Sequence, residues 1–376
     1  MSKRIHSIDS LRTIAIFFVI LAHAMPFKGL NSYGNYIFFI LDTIGQFDVP
    51  FFFVASGYFF AKKVDSDNVR TYVTKVARKL GSLYLFGVLW SVALLASVRL
   101  ILDKPVVAPI VQNILTNNMI LDMLYYGDSV STHLWFLTAL IYSLVFISLF
   151  VSIGKSRYIL PIAAVFHVLG ILTQNYPMIF EISRPTRDAL FFGFFYVALG
   201  FHIRSTDWTV DEERSRLYLG AFCVLLVAQL LEQYAIAYLI RGVDLGNIYW
   251  TEYTISTTLL VFSLFVYALS NPDLGKGTIL PELGEYTVGI FILHVPLVHA
   301  FSSLSTIITS QFGIDPTTTI VWQIAIVPVV YVLSLGLYLL MAKLRIIELG
   351  GSHIPWLGYL RTRLQTTSSD REVTAD

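Results

Sequence analysis

Charge is scarce in this chain. Only 14% of its 376 residues are Asp, Glu, Lys or Arg, about half the share usual for soluble domains. That is too little to clothe an ordinary soluble surface. A disordered chain and a collagen-like chain are excluded as well, because 56% of the residues are hydrophobic and 15% aromatic. There is one cysteine, Cys223. A disulfide scaffold and a CxxC metal or redox site are therefore impossible within the chain, and Cys223, inside an apolar run, reads as a small core residue. The formal net charge of +1 offers no general attraction to polyanions, so no nucleic-acid partner is expected. Nucleotide-binding loops of the GxxxxGK[ST] or GxGxxG kind are missing, as are the GxSxG elbow and HExxH. His294 and His299 are five residues apart and lie on different helix faces, so no metal site is expected. Any chemistry must come from ionisable residues in or near an apolar medium.

What is present is apolar length, with a mean hydropathy of +0.68. Ten stretches approach or exceed the span of a bilayer, near 11–30, 38–60, 80–101, 133–153, 158–173, 189–204, 217–239, 252–270, 286–308 and 319–341. A spanning backbone must satisfy its own hydrogen bonds, so each is read as a helix. The segment 106–126 is too polar to span and is read as short structure outside the bilayer. Lys3, Arg4 and the Ala22-His23-Ala24 triplet have features of a signal peptide. Asp9 and Arg12 crowd its apolar run, however, and a first membrane helix is the simpler reading. With the N-terminus inside, the outer side carries only Lys28, Arg99, Lys104, Arg184, Arg187 and Arg241, and the other 20 of the 26 basic residues fall inside. That bias predicts an all-α, polytopic integral membrane protein of about ten transmembrane helices, N-in and C-in. One transmembrane domain is expected over 1–345, followed by a cytoplasmic tail over 346–376 whose polar end is read as disordered. No internal repeat is visible.

Ionisable residues inside a bilayer are costly, and each is a functional candidate. Arg12 and His23 lie eleven residues apart in the first helix. Eleven steps come within about 20° of three full turns and rise about 16 Å. Both side chains therefore share one face, Arg12 toward the inner side and His23 toward the outer, with Asp9 placed to pair with Arg12. Taken alone, Arg12 reads equally as a snorkelling arginine and His23 as a residue at the helix end.

Several elements together resemble one family. Ser10-Leu11-Arg12, ten further residues and His23 are similar to the R-x10-H signature of the membrane acyltransferase-3 family, the O-acetylases of bacterial surface glycans. The run from Val49 to Tyr58 (VPFFFVASGY) resembles its V-P-x-F-F-x-x-S-G-Y stretch, and Lys75 and Arg78 lie where an R-x-x-R pair occurs. His133-Leu134-Trp135-Phe136-Leu137 is similar to H-L-W-[FY]-L. Leu283-Gly284-Glu285-Tyr286-Thr287 and Phe291 to Pro296 resemble L-G-x-[YF]-[ST] and [YF]-L-x-H-x-P. The resemblance covers about residues 5–345. Lys75 departs from the usual arginine, trading a planar fork for a point charge, and Gly81 stands where proline is expected.

The resemblance implies transfer of an acyl group, commonly acetyl, from cytoplasmic acyl-CoA to a carbohydrate hydroxyl on the far side of a bacterial inner membrane. Acyl-CoA is then a co-substrate, and no cofactor is expected. Lys75, Arg78 and Lys79 share one face of a short helix, and with Arg12 they suit a donor's phosphates. The positive-inside bias alone also explains inner cations, Lys62 and Lys63 above all. A sugar hydroxyl needs a base, and His23 is the candidate. Asp48, at similar depth, is the first candidate to orient its ring, with Glu232 and Glu252 after it. His133 and Trp135 read as interfacial residues or as substrate contacts, and His294 as a core histidine or a catalytic one. Ser56-Gly57 reads as a site of close helix packing. Two other readings share the helices. One is a transporter or flippase without acyl-transfer chemistry, and the other is a membrane scaffold, which leaves the Arg12–His23 pair unexplained. The ordered motifs favour the acyltransferase. No signal for an oligomeric state is present.

Overall fold

Ile8, Ala15, Ile16, Val19 and Ile20 recur at helical spacing, and all are buried along α1 (His6–Ala24). The helix stops where Met25 takes a left-handed conformation (φ 48°), its N–H capping the Leu21 carbonyl at 2.8 Å, with Pro26 next. The computed structural model describes residues 4–102, 105, 119–128, 130–176, 186–208, 211–244, 246–247 and 253–347. After α1 come α2 (Ser32–Gly45), α3 (Asp48–Ala61) and α4 (Val69–Ile101). A 3-10 turn (Thr132–Leu134) leads into α5 (Trp135–Ser152), and α6 (Ile159–Asn175) follows. A π turn (Ala189–Gly193) opens α7 (Phe194–Ser205), and another (Ala235–Ile240) extends α8 (Glu212–Tyr234). The last helices are α9 (Ile255–Ser270), α10 (Thr287–Phe312) and α11 (Ile320–Lys343).

Among the described residues, eight helical segments are long and apolar enough to cross a membrane. Two apolar helices are shorter, Ala189–Ser205 and Ile255–Ser270. Helices α4 and α8 leave most of their apolar surface uncovered by protein, Leu85, Leu89, Val224 and Leu231 included. In a chain this apolar, that surface faces lipid rather than water.

Helix α1 is the centre of the bundle and touches α2, α3, α9, α10 and α11, as well as the short helix Leu280–Leu283. The most extensive packing joins α3 to α7. Glycine makes it possible from both sides. A Cβ on Gly57 would collide with the Val197 carbonyl, and one on Gly200 with the Val54 carbonyl. Backbones this close exclude any larger residue, so the packing expected at Ser56-Gly57 is present.

Three expectations change, the first at Cys223, which is exposed on α8 rather than a core residue. The stretch 38–60 is two helices, because the chain bends at Gln46 and Phe47 before α3 begins with Pro50 in its first turn, where proline costs nothing. Helix α8 holds the bend, with Gln233 donating to the Gln46 side chain at 2.5 Å and Gln229 donating to the Thr43 carbonyl. Lys75, Arg78 and Lys79 sit on the first three turns of α4 rather than on a separate short helix, since no proline interrupts 69–101. Of the polar segment 106–126, residues 106–118 lie outside the described residues, and 119–126 form helical turns. Most of the tail expected over 346–376 lies outside them as well.

Candidate active site

Three histidines distant in sequence meet at the C-terminal end of α1. His23 is in its last turn, His133 is in the turn before α5, and His294 is inside α10. Ring centroids are 5.2 Å apart for His23 and His294, 5.1 Å for His133 and His294, and 6.2 Å for His23 and His133. His294 Nδ1 lies 2.7 Å from the Phe291 carbonyl. A carbonyl only accepts, so Nδ1 carries the proton, and Nε2 of the neutral ring presents a lone pair. His133 Nδ1 is 2.9 Å from the Ser131 hydroxyl. In both rings Nε2 is buried with no hydrogen-bond partner. Buried polar atoms are nearly always satisfied, so each of these two nitrogens calls for a partner from outside the protein, and both histidines are buried. His133 is therefore no surface anchor, and His294 is not a fully satisfied core histidine.

Sequence reasoning treated Arg187 only as one basic residue of the outer side. The guanidinium lies 4.9 Å from the Trp135 ring centre, a cation–π contact that brings a cation to the start of α5, two residues from His133. The next residue, Asp188, fixes the local backbone by accepting from the Leu190 and Phe191 N–H groups, both at 2.9 Å. Nothing in the spacing of Arg187 announced this. Asp48 is buried at the start of α3 and accepts from the Val49 N–H. Among the described residues no hydrogen bond joins it to His23.

Glu232 is occupied elsewhere. Its carboxylate accepts from the Ile255 N–H at 3.1 Å, the Ser256 N–H at 2.8 Å, the Ser256 hydroxyl, and the Tyr176 hydroxyl at 3.3 Å. An anion at the first turn of α9 satisfies orphan donors and opposes the helix dipole. Glu232 is thus a cap, not a partner of His23. Glu232→Ala is expected to destabilise the protein by about 1–2 kcal/mol, read as a lower thermal midpoint in nanodiscs with no change in donor affinity. Glu252 lies outside the described residues.

At the other end of α1 a cavity of about 560 Å³ opens between α1, α3, α4, α5 and α10. Arg12, Lys63, Lys75 and Lys79 line one end, and Val19, Val49, Phe52, Phe136 and Phe291 the other. Arg12 is held there by Asp9 at 3.3 Å and by the Phe59 ring, whose centre is 5.2 Å away. Asp9 also receives Arg4 at 2.8 Å, and Arg4 pairs with Glu285 at 2.7 Å. Arg78 is exposed and is not part of the lining, whereas Lys63, explained above by topology alone, is part of it. Phe291 joins the two regions. It lines the cavity and packs against His133 at 5.2 Å and His294 at 5.8 Å. Among the described residues no group of three or more His, Cys, Asp or Glu is arranged to hold a metal ion.

A family model described as an acyltransferase domain, the acyltransferase-3 model, matches residues 5–339. The chain belongs to the acyltransferase-3 family. As a member with many apolar helices it is a multi-pass membrane protein. Among curated proteins it is similar to a serine/alanine racemase of Enterococcus gallinarum, 29% identical over 243 residues, which cover 60% of this chain and 32% of that one. It is also similar to two amino-acid racemases of Enterococcus faecalis. One is 24% identical over 217 residues (53% of this chain, 29% of the relative). The other is 24% identical over 233 residues (58% and 30%). The chain thus spans about a third or less of the curated relatives it matches. No solved structure matches it.

Proposed function

We propose that this protein is an acyltransferase that moves an acyl group, acetyl in the first instance, from cytoplasmic acyl-CoA to a hydroxyl of a cell-surface or exported carbohydrate, with His23 as general base. The observation that carries the proposal is the cavity. Its cationic end suits the phosphates of a CoA donor, its apolar end suits the pantetheine arm, and it stops at Phe291, directly behind which the histidines stand. The two short apolar helices complete ten spans, with Arg12 and the α4 lysines on the cytoplasmic side of a bacterial plasma membrane.

In this mechanism the acceptor enters from the His23 end, where Trp135, His133 and His294 contact it. An imidazole accepts the hydroxyl proton as the oxygen attacks the thioester carbonyl. The carbon–sulfur bond then breaks, and the imidazolium returns the proton to the CoA thiolate. Arg187 supplies positive charge for the carbonyl oxygen as it becomes negative. No cofactor or metal is invoked. The racemase activity of the relatives is not carried over, because the matches leave about two thirds or more of each relative uncovered.

Donor binding tests the proposal independently of turnover. Arg12→Gln and Lys79→Glu are each expected to weaken CoA binding by about tenfold or more, the worth of one charge-assisted hydrogen bond. Titration calorimetry on protein in nanodiscs reads this directly. Unchanged affinity in Arg12→Gln would remove the donor assignment from the cavity.

A further inference from the structure

The apolar end of the cavity is closed by rings from three helices. Phe52 of α3, Phe136 of α5 and Phe291 of α10 all line it. Phe136 is the hub, with centroids 6.3 Å from Phe52, 4.6 Å from Phe53 and 5.4 Å from Phe291. Aromatic rings at these separations are in tilted or edge contact, and none of the three histidines is in the lining of the cavity. Phe291 has the cavity on one side and the imidazoles of His133 and His294 on the other. A thioester in the cavity therefore meets the histidines only if Phe136 or Phe291 swings aside. Both belong to helices, where few side-chain rotamers are open, so the swing is small. Beyond the rings, the three imidazoles are packed at centroid separations of 5.1 to 6.2 Å, and little space remains.

We propose that Phe136 and Phe291 form a partition that sets the size of the acyl group this site transfers, admitting short chains to the histidines and refusing longer ones. The proposal rests on the donor reading of the cavity given above. Its physical basis is the cost of surplus carbon in a filled apolar site, about 10- to 200-fold in rate for a single methylene that does not fit. Removing one phenyl ring empties the space of several methylene groups at the position an acyl tail would occupy. The apolar wall on the other side of the rings does not offer the same room, because the pantetheine arm must pass there on its way from Arg12 and the lysines.

The test uses the full chain in nanodiscs and follows thiol release from acetyl-, butyryl- and hexanoyl-CoA. The wild type is expected to favour acetyl-CoA over hexanoyl-CoA by about tenfold or more. In Phe136→Ala and Phe291→Ala the hexanoyl-to-acetyl ratio is expected to rise by about tenfold, and because the ratio is taken within one variant, a change in CoA affinity shared by both donors cancels. Phe136→Leu and Phe291→Leu, which keep most of the packing, should shift the same ratio to a smaller extent and serve if the alanine variants do not fold. An unchanged ratio in folded variants that still consume acetyl-CoA would overturn the partition, as would a wild type that uses hexanoyl-CoA as fast as acetyl-CoA. Failure of the donor reading itself looks different, since the wild type would then neither consume any of the three donors nor be stabilised by free CoA.

Discussion

Replacing His23 with alanine is expected to lower acyl transfer by about 10²–10⁴-fold, the usual worth of a positioned general base, and to leave CoA binding unchanged. His23 ends the central helix, and its ring touches both other imidazoles. It takes no part in the lining of the donor cavity, so its loss should not weaken donor affinity. His294→Gln belongs beside it in the same assay. The proton on His294 Nδ1 goes to the Phe291 carbonyl, which leaves Nε2 bare, and a loss of rate is expected here too. Full activity in His23→Ala together with inactive His294→Gln would move the base to His294. Full activity in both would end the histidine mechanism.

Gly200→Val is expected to prevent the protein from folding. Overfilling a core commonly costs about 1–3 kcal/mol, because neighbouring side chains can shift. At Gly200 the obstacles are the Val54 carbonyl and the Tyr58 nitrogen, which are backbone atoms of α3 and cannot turn away. Gly57 faces the Val197 carbonyl across the same contact, so the two helices would have to separate along their most extensive interface. Gly220, on α8, has nothing within 4 Å of the position a Cβ would take, and Gly220→Val is the matched control. Size-exclusion profiles and thermal midpoints in detergent should show aggregation or loss of Gly200→Val and a normal Gly220→Val. A well-folded Gly200→Val would show that α3 and α7 are not held as closely as described.

Much of the architecture was legible because lipid imposes a simple rule, long apolar helices, and hydropathy reports it. The shared face of Arg12 and His23 follows from helical periodicity within one element. The meeting of residues 23, 133 and 294 does not, since periodicity says nothing about which helices pack together. Only the family resemblance pointed to His133 and His294, and their free Nε2 atoms required coordinates. Arg187 was hidden for another reason. It lies outside any helix, and an outer arginine is unremarkable by charge count. Glu232 shows the opposite case, a carboxylate at the outer end of its helix that offers a secondary partner for His23 by sequence but caps α9 in the structure. The bend at Gln46 and Phe47 is masked in hydropathy because both halves are apolar, and the signal for it is Gly45 at the end of α2 with Pro50 in the first turn of α3.

The most direct test of the central claim is donor turnover by the purified wild type in nanodiscs, with labelled acetyl-CoA and thiol release followed together. The expected result is time-dependent consumption of donor, with label passing to a carbohydrate acceptor when one is supplied. A protein that is folded and monodisperse, yet neither binds nor consumes any acyl-CoA across a panel of donors, would contradict acyl-CoA as the donor and the cavity as its site.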